Sequence, residues 1–182
     1  AIALLRLGAD GLVWPLLRSS PDPQVRSFII HGLSSRGVDA ASIISRYHQE
    51  KDVTIKRALV LSLGEFSLER ADKDALIRTL EEVYANDWDA GLHGAAEWLL
   101  RQWGRGGKLA EIDQEIQQSQ EQLEAEEKSE KQWYVNSQNQ TFVILETQVI
   151  EMGSPETEEG RRVYETLHKR EIKRRFAISN KE

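Results

Sequence analysis

Apolar residues recur every three to four positions over most of the N-terminal two thirds of the chain, the spacing of helices with one buried face. The pattern is clearest at 55–66 and 92–103, and Gly104 ends the second stretch. Shorter stretches at 40–48 and 73–84 have the same period. The residues predicted to face inward are Ile43, Ile44, Tyr47, Ile55, Ala58, Leu59, Ser62, Leu63, Phe66, Leu76, Leu80, Val83, Tyr84, Leu92, Ala95, Ala96, Leu99 and Trp103.

Three segments of this region align with one another, beginning at Asp22, Asp52 and Asp89. Each has an apolar residue three positions after the aspartate, a basic-type residue four positions after it and an apolar or small residue six positions after it. The aspartates are 30 and 37 residues apart, which is the size of a repeat of two helices. An aspartate at this place is expected to cap the helix that follows it.

The segments Asp-Pro-Gln-Val-Arg at 22–26 and Leu-Ser-Leu-Gly at 61–64 resemble HEAT repeats. The resemblance implies an α-solenoid of antiparallel helix pairs over residues 1–118. The basic-type positions Arg26, Lys56 and His93 are candidates for a stripe that binds an acidic partner. The alternative, which we favour, is that they pair with helix termini and neighbouring carboxylates along the stack.

Beyond Lys108 an apolar stripe lies beneath a surface rich in Gln and Glu. The stripe predicts a closing helix that continues into a solvated connector over residues 119–132, which a protease would cleave readily. A short coiled coil is the alternative, although too few apolar heptad positions are present for it. The glycines at 104–107 predict a turn, and they lack the Lys-Ser/Thr ending of a phosphate-binding loop.

The C-terminal part has strand patterns at 141–146 and 149–152, a polar loop at 154–165, and an alternating run that ends near residue 178. This part also contains a set of motif residues, Phe142, Met152, Gly153, Ser154, His168, Phe176 and Ile178. These motif residues resemble the opening of the formylglycine-generating (sulfatase-modifying factor) family, which has C-type-lectin-like members. The resemblance implies that residues 133–182 are the N-terminal piece of a truncated α+β domain, so the expected fold class is mainly α with a short β-containing segment.

Enzymes of that family use a cysteine pair that binds copper to oxidise a substrate cysteine. This chain contains no cysteine, so thiolate-copper chemistry is excluded for it. Its four histidines are scattered without metal-ligand spacing. We therefore expect no catalytic residues, no metal and no cofactor. Lectin-like relatives that lack the cysteines serve as binding domains.

The net charge indicates which kinds of partner the chain can bind. The value of −6 disfavours a protein that coats nucleic acid, because neutralising phosphates requires a basic surface. Within the basic run 169–175, Arg170 and Arg174 are candidates for contact with phosphate or an acidic surface. The alternative is protection of a sheet edge by solvated cations, which we favour. No apolar stretch is long enough to span a membrane, and the expected location is cytoplasmic.

These patterns favour a non-catalytic scaffold for protein–protein interaction. In it, a helical-repeat module is joined to a formylglycine-generating-type or lectin-like domain, as in bacterial signalling or defence proteins. Both chain ends look cut, which is expected of a protease-processed or cloned fragment. One alternative is a fragment of a formylglycine-generating oxidase, and a second is a HEAT-like protein that binds nucleic acid.

Overall fold

A computed structural model describes Leu5, residues 10–123 and residues 130–180. The chain divides into two compact units, Ala1–Lys131 and Gln132–Glu182. Among the described residues, helices form the first unit and antiparallel strands the second. The prediction of a mainly α-helical chain with a C-terminal β-containing segment is therefore confirmed at this level.

The described part of the first unit contains six α-helices and three short 3-10 helices. The α-helices are α1 (Gln24–Gly32), α2 (Ala40–Gln49), α3 (Val53–Leu63), α4 (Arg70–Asn86), α5 (Ala90–Gln102) and α6 (Gly106–Leu123). The 3-10 helices are Asp10–Leu12, Trp14–Leu17 and Ser34–Arg36.

Helices that follow one another pack together in pairs. Three-residue connections join α2 to α3 at 50–52 and α4 to α5 at 87–89, and the helices on either side of each connection are in contact. The turn Trp14–Leu17 packs on α1 in the same way. Helices α1, α3 and α5 also pack on one another in chain order, so they form one layer. Helix α6 lies against both α4 and α5.

Most of the residues predicted to face inward belong to the core of this unit. Fourteen of them are buried, whereas Ile44, Phe66, Val83 and Trp103 are only half-buried. Phe66 lies outside the helical face because α3 ends at Leu63, three residues earlier than the pattern extends.

Helix α6 differs from the prediction at both ends. Of the predicted turn glycines, Gly104 adopts the left-handed φ of +77°, but Gly106 and Gly107 form the first turn of α6. At the other end α6 reaches Leu123, because Gln and Glu are good helix formers, so the predicted connector begins inside the helix. Residues 124–129 of that connector lie outside the described residues.

A buried hydrogen bond ties α6 to α4. The Tyr84 hydroxyl donates to the Asp113 carboxylate at 2.5 Å, and both residues are almost fully buried. Burial raises the pKa of Tyr84, and the adjacent Asp113 carboxylate raises it further. The phenol therefore stays a donor throughout the physiological pH range.

Tyr84→Phe is expected to lower the free energy of unfolding by about 1–3 kcal/mol, since it removes a hydrogen bond from a buried carboxylate. Urea unfolding followed by circular dichroism measures the change. The matched control is Tyr47→Phe, at the equivalent position of the previous pair, where burial first and then Asp87 raise the pKa to about 12. No side-chain hydrogen bond of Tyr47 occurs in the described structure, so we expect a change below about 0.5 kcal/mol there. Equal losses in the two variants would contradict the role of Asp113.

The second unit contains two antiparallel sheets among its described residues. Its strands are β1 (Trp133–Val135), β2 (Thr141–Leu145), β3 (Gln148–Met152), β4 (His168–Ile172) and β5 (Phe176–Ser179). One sheet has the order β1-β2-β5, and the other pairs β3 with β4. The alternating run near the C-terminus is thus two strands, which pair in different sheets and are separated by residues 173–175.

None of the described helices is long and apolar enough to cross a lipid bilayer.

Candidate functional site

In all three helix pairs a contact joins residues that are nine positions apart. The pairs are Leu17 and Arg26, Tyr47 and Lys56, and Tyr84 and His93. In the first and third pairs, a side-chain nitrogen of the later residue lies 2.9 and 2.8 Å from the backbone carbonyl oxygen of the earlier one. In the second, the ammonium lies 5.6 Å from the centre of the tyrosine ring. The basic-type position of each repeat therefore contacts the end of the helix that precedes it.

The connection inside each of the last two pairs is also repeated. Glu50 accepts a hydrogen bond from the backbone N–H of Asp52 at 2.8 Å, and Asp87 accepts one from Asp89 at 2.9 Å. Asp52 and Asp89 then cap α3 and α5 as predicted. In each three-residue connection the first and third residues are thus acidic; the first accepts a hydrogen bond from the third, and the third caps the next helix.

Asp52 is held ionised by its partners. The Thr54 hydroxyl donates to its carboxylate at 2.7 Å, the Arg18 guanidinium at 2.8 Å, and the backbone N–H groups of Thr54 and Ile55 complete the cap. These hydrogen bonds, that of the Thr54 hydroxyl foremost, lower the pKa of Asp52 to about 2 despite partial burial.

The lowered pKa predicts an acid dependence of stability. Because the pKa is about 2 when folded and 3.8 ordinarily, the contribution of Asp52 is complete above about pH 4 and is lost as the pH falls towards 2. Solvent screening limits this contribution to about 1 kcal/mol. Asp52→Asn keeps the capping geometry, so the unfolding free energies of the two proteins should differ by that amount at pH 7 and converge near pH 2. A constant difference across this range would contradict the assignment.

The structure does not bring the three basic-type candidates to one open surface. His93 is completely buried and stacks on Tyr84 with ring centres 4.3 Å apart, so it offers no atom to a partner. Arg26 and Lys56 are half-buried. Arg26 donates to a second carbonyl, that of Thr54 at 3.3 Å, and burial followed by repulsion from Arg57 lowers its pKa. Arg26 and His93 thus make the helix-terminus contacts that the sequence offered as the alternative.

A different set of side chains forms the open surface of this layer, which we call the α1–α3–α5 face. Its members are Ser27, His31, Arg57, Leu61, Gly64, Glu65, Gly91, Gly94, Trp98, Arg101 and Gln102, all exposed or half-buried. Three contacts between helices join them into one surface. His31 pairs with Glu65 at 2.8 Å, the Gln102 amide donates to the carbonyl of Gly64 at 3.0 Å, and the Arg57 guanidinium covers Gly91.

Glycine at position 64 is required by this arrangement. A Cβ added there would lie 2.4 Å from the ring of Trp98, so the indole rests directly on the backbone at the end of α3. Trp98 nevertheless keeps 44% of its surface exposed. Gly94, one helical turn earlier, has no atom within 4 Å of an added Cβ, and the backbone beside the indole is therefore open.

The arginines of this face are paired with buried carboxylates. Arg57 donates to both carboxylate oxygens of Asp89, and its Nε lies 2.7 Å from one of them. Arg101 Nε donates to Glu97 at 2.9 Å. Both carboxylate side chains are only 3% exposed, whereas the two arginine side chains are 30% and 48% exposed. The positive member of each pair therefore faces the solvent.

A cleft of about 780 Å³ lies beside α2. Trp14, Asp39, Ser42 and Arg46 are among its lining residues, and Arg46 is already paired with Glu50. No arrangement of nucleophile and base is present among these lining residues. Within the ranges that the structure describes, no group of three or more His, Asp or Glu side chains could hold a metal ion.

Strand pairing places two motif residues of the second unit opposite each other and two more opposite residues outside the motif. Met152 lies opposite His168 in the β3–β4 sheet. In the other sheet, Phe176 lies opposite Leu145 and Ile178 opposite Val143.

The remaining motif residues occupy a tight turn and the face of the β1–β2 pair. Phe142 stacks on Tyr134 with ring centres 5.3 Å apart. Gly153 has φ +96°, and Ser154 forms an isolated bridge with Thr166. These positions are explained by packing and backbone geometry.

Arg170 and Arg174 are both exposed. Arg170 lies on β4 opposite Ile150, and Arg174 lies in the segment between β4 and β5. Both arginines thus lie on the surface of the second unit. Their exposure fits contact with an anion as well as protection of the strand edge.

No protein-family model matches this chain, and neither the curated proteins nor the solved structures contain a match to it.

Proposed function

We propose that this chain is a non-catalytic scaffold for protein–protein interaction. In this proposal the first unit is a HEAT-like α-solenoid and the second is the N-terminal piece of a formylglycine-generating-type, lectin-like domain, in a cytoplasmic bacterial signalling or defence protein. The single observation that carries the proposal is that residues nine positions apart are in contact in three successive helix pairs, through a backbone carbonyl in two pairs and through a tyrosine ring in the other, while α1, α3 and α5 pack in chain order with an open outer face. Stacked repeats of this kind present extended binding surfaces.

The second unit supports the attachment through its motif residues. Gly153 has a positive φ in a turn, and Met152 pairs with His168 between two strands. The motif residues thus have specific roles in the backbone structure, which supports the resemblance. The oxidase alternative has less support, since the chain contains no cysteine. The nucleic-acid alternative is opposed by the net charge of −6.

Quantitative capture from a bacterial extract tests the proposal. Gly94→Trp places a large side chain on the α1–α3–α5 face, where an added Cβ meets nothing. Gly107→Trp does the same on α6, outside that face, and serves as the control. We expect at least one protein to be captured by the wild type and the Gly107 variant but lost by about tenfold with the Gly94 variant. Equal capture by the wild type and the two variants would contradict the proposal.

A further inference from the structure

In both arginine–carboxylate pairs of the α1–α3–α5 face, the arginine and not the carboxylate is the more exposed member. Arg57 uses Nε and Nη2 on Asp89, and Arg101 uses Nε on Glu97. Since a guanidinium carries five N–H donors, each arginine retains donors that the described carboxylate contacts do not use. The carboxylates behind them are buried and out of reach of a partner.

The charge along the sequence reinforces this polarity. Helices α1 and α3 contain three Lys and Arg, at Arg26, Lys56 and Arg57, and no Asp or Glu, in a chain whose net charge is −6. The exposed carboxylate of the face, Glu65, is paired with His31. The layer of α1 and α3 is therefore cationic within an acidic protein, which favours an acidic ligand.

An apolar anchor lies next to these donors. Trp98 is one helical turn from both Gly94 and Arg101, and its ring lies over Gly64. Leu61 is half-buried on the adjacent turn of α3. A Trp beside uncovered backbone and arginine side chains is the composition typical of an energetically dominant spot in a protein interface.

We propose that the part of the face formed by α3 and α5 binds an acidic peptide segment of a protein partner. An apolar side chain of the segment packs on Trp98 and Leu61, and its carboxylates receive hydrogen bonds from Arg57 and Arg101. The inference rests on the scaffold function proposed above and names the chemistry of the partner.

Fluorescence anisotropy with the full chain tests this binding. The probe is a short labelled peptide of glutamate and serine with one central leucine, and its counterpart has lysine in place of glutamate. We expect the glutamate peptide to bind at least about tenfold more tightly, and its affinity to fall as NaCl is raised.

Variants at two glycines locate the site. Gly94→Glu adds a negative charge on the face and should weaken binding of the glutamate peptide about fivefold, whereas Gly94→Lys should not weaken it. Gly107→Glu makes the same change of charge on α6 and should have no effect. Trp98→Ala should weaken binding about tenfold, and circular dichroism verifies that each variant is folded.

Four results would overturn the inference. These are equal binding of the two peptides, equal effects of Gly94→Glu and Gly107→Glu, tighter binding of a short DNA duplex that depends on Gly94, and self-association of the chain that Gly94→Glu abolishes. If capture of a protein depends on Gly94 while the peptide does not bind, the scaffold function stands and only the acidic ligand is wrong. If neither depends on Gly94, both fail.

Discussion

Asp89→Ala is expected to lower the free energy of unfolding of the first unit by about 3–5 kcal/mol. The carboxylate is buried, caps α5 by accepting the N–H of Leu92 at 2.7 Å, and is bound through both oxygens by Arg57. Alanine removes the cap and leaves a half-buried guanidinium without its counter-charge. Urea unfolding followed by circular dichroism, which reports mainly on the helices, measures the loss.

The matched control is Asp22→Ala, at the same position of the first repeat. Asp22 is exposed and accepts the N–H of Gln24 at 2.9 Å, but it lies one residue before Pro23, the N-cap of α1, so the expectation that it caps this helix is wrong. Its loss should cost about 0.5–1 kcal/mol, the net value of one exposed hydrogen bond. Similar costs at the two positions would show that the buried ion pair contributes nothing beyond capping.

Gly153→Ala is expected to destabilise the second unit by about 3 kcal/mol and to disrupt the pairing of β3 with β4. The residue has φ +96°, which a side chain rarely adopts, and an added Cβ would lie 2.3 Å from the carbonyl oxygen of Thr166. The obstacle is backbone, so it cannot move away as a flexible side chain would. Amide resonances of residues 148–152 and 168–172 should lose their strand-like dispersion in a two-dimensional NMR spectrum.

The variant Gly160→Ala distinguishes the cost of a positive φ from the cost of a steric clash with neighbouring backbone. Gly160 has a similar φ of +84°, but nothing lies within 4 Å of an added Cβ. Only the conformational cost of about 1 kcal/mol then applies, and the strand resonances should persist. If both alanine variants behave alike, the close approach to Thr166 has no structural importance.

Local rules predicted the helices of the first unit well. An aspartate before an apolar period marks a helix start because its side chain accepts the first N–H groups, and Asp52 and Asp89 do this. The apolar face of α3 was predictable for the same reason, since burial of one side of a helix requires that period. Both signals act within a few residues of sequence.

Such rules could not predict contacts between residues that are far apart in the sequence. The pairing of Arg57 with Asp89 joins residues 32 positions apart, and that of Tyr84 with Asp113 joins residues 29 apart. Each depends on how two helices pack, which no local pattern specifies. The division of the last strand run was missed for the same reason, since β4 and β5 are defined by their partners β3 and β2.

Residues that are adjacent in sequence lie on different sides of the helices that form the candidate surface. Sequence reasoning considered Lys56 and His93, at the fourth position after each aspartate, for a binding stripe because of their basic character, and favoured pairing along the stack. The fifth position, occupied by Arg57 and Gly94, lies on the open face. One residue turns a helix by about 100°, so aligning the three segments did not indicate which position faces outward.

The most direct test of the interaction face is site-specific photo-crosslinking in cells that produce the chain. A benzoylphenylalanine is introduced in place of Gly94 in one protein and in place of Gly107 in another, because both positions have space for a side chain. The scaffold account predicts that the probe at position 94 forms a crosslink to a defined partner protein that the probe at position 107 does not form. Crosslinks to the same proteins with equal yield from both positions, or none from position 94, would contradict it.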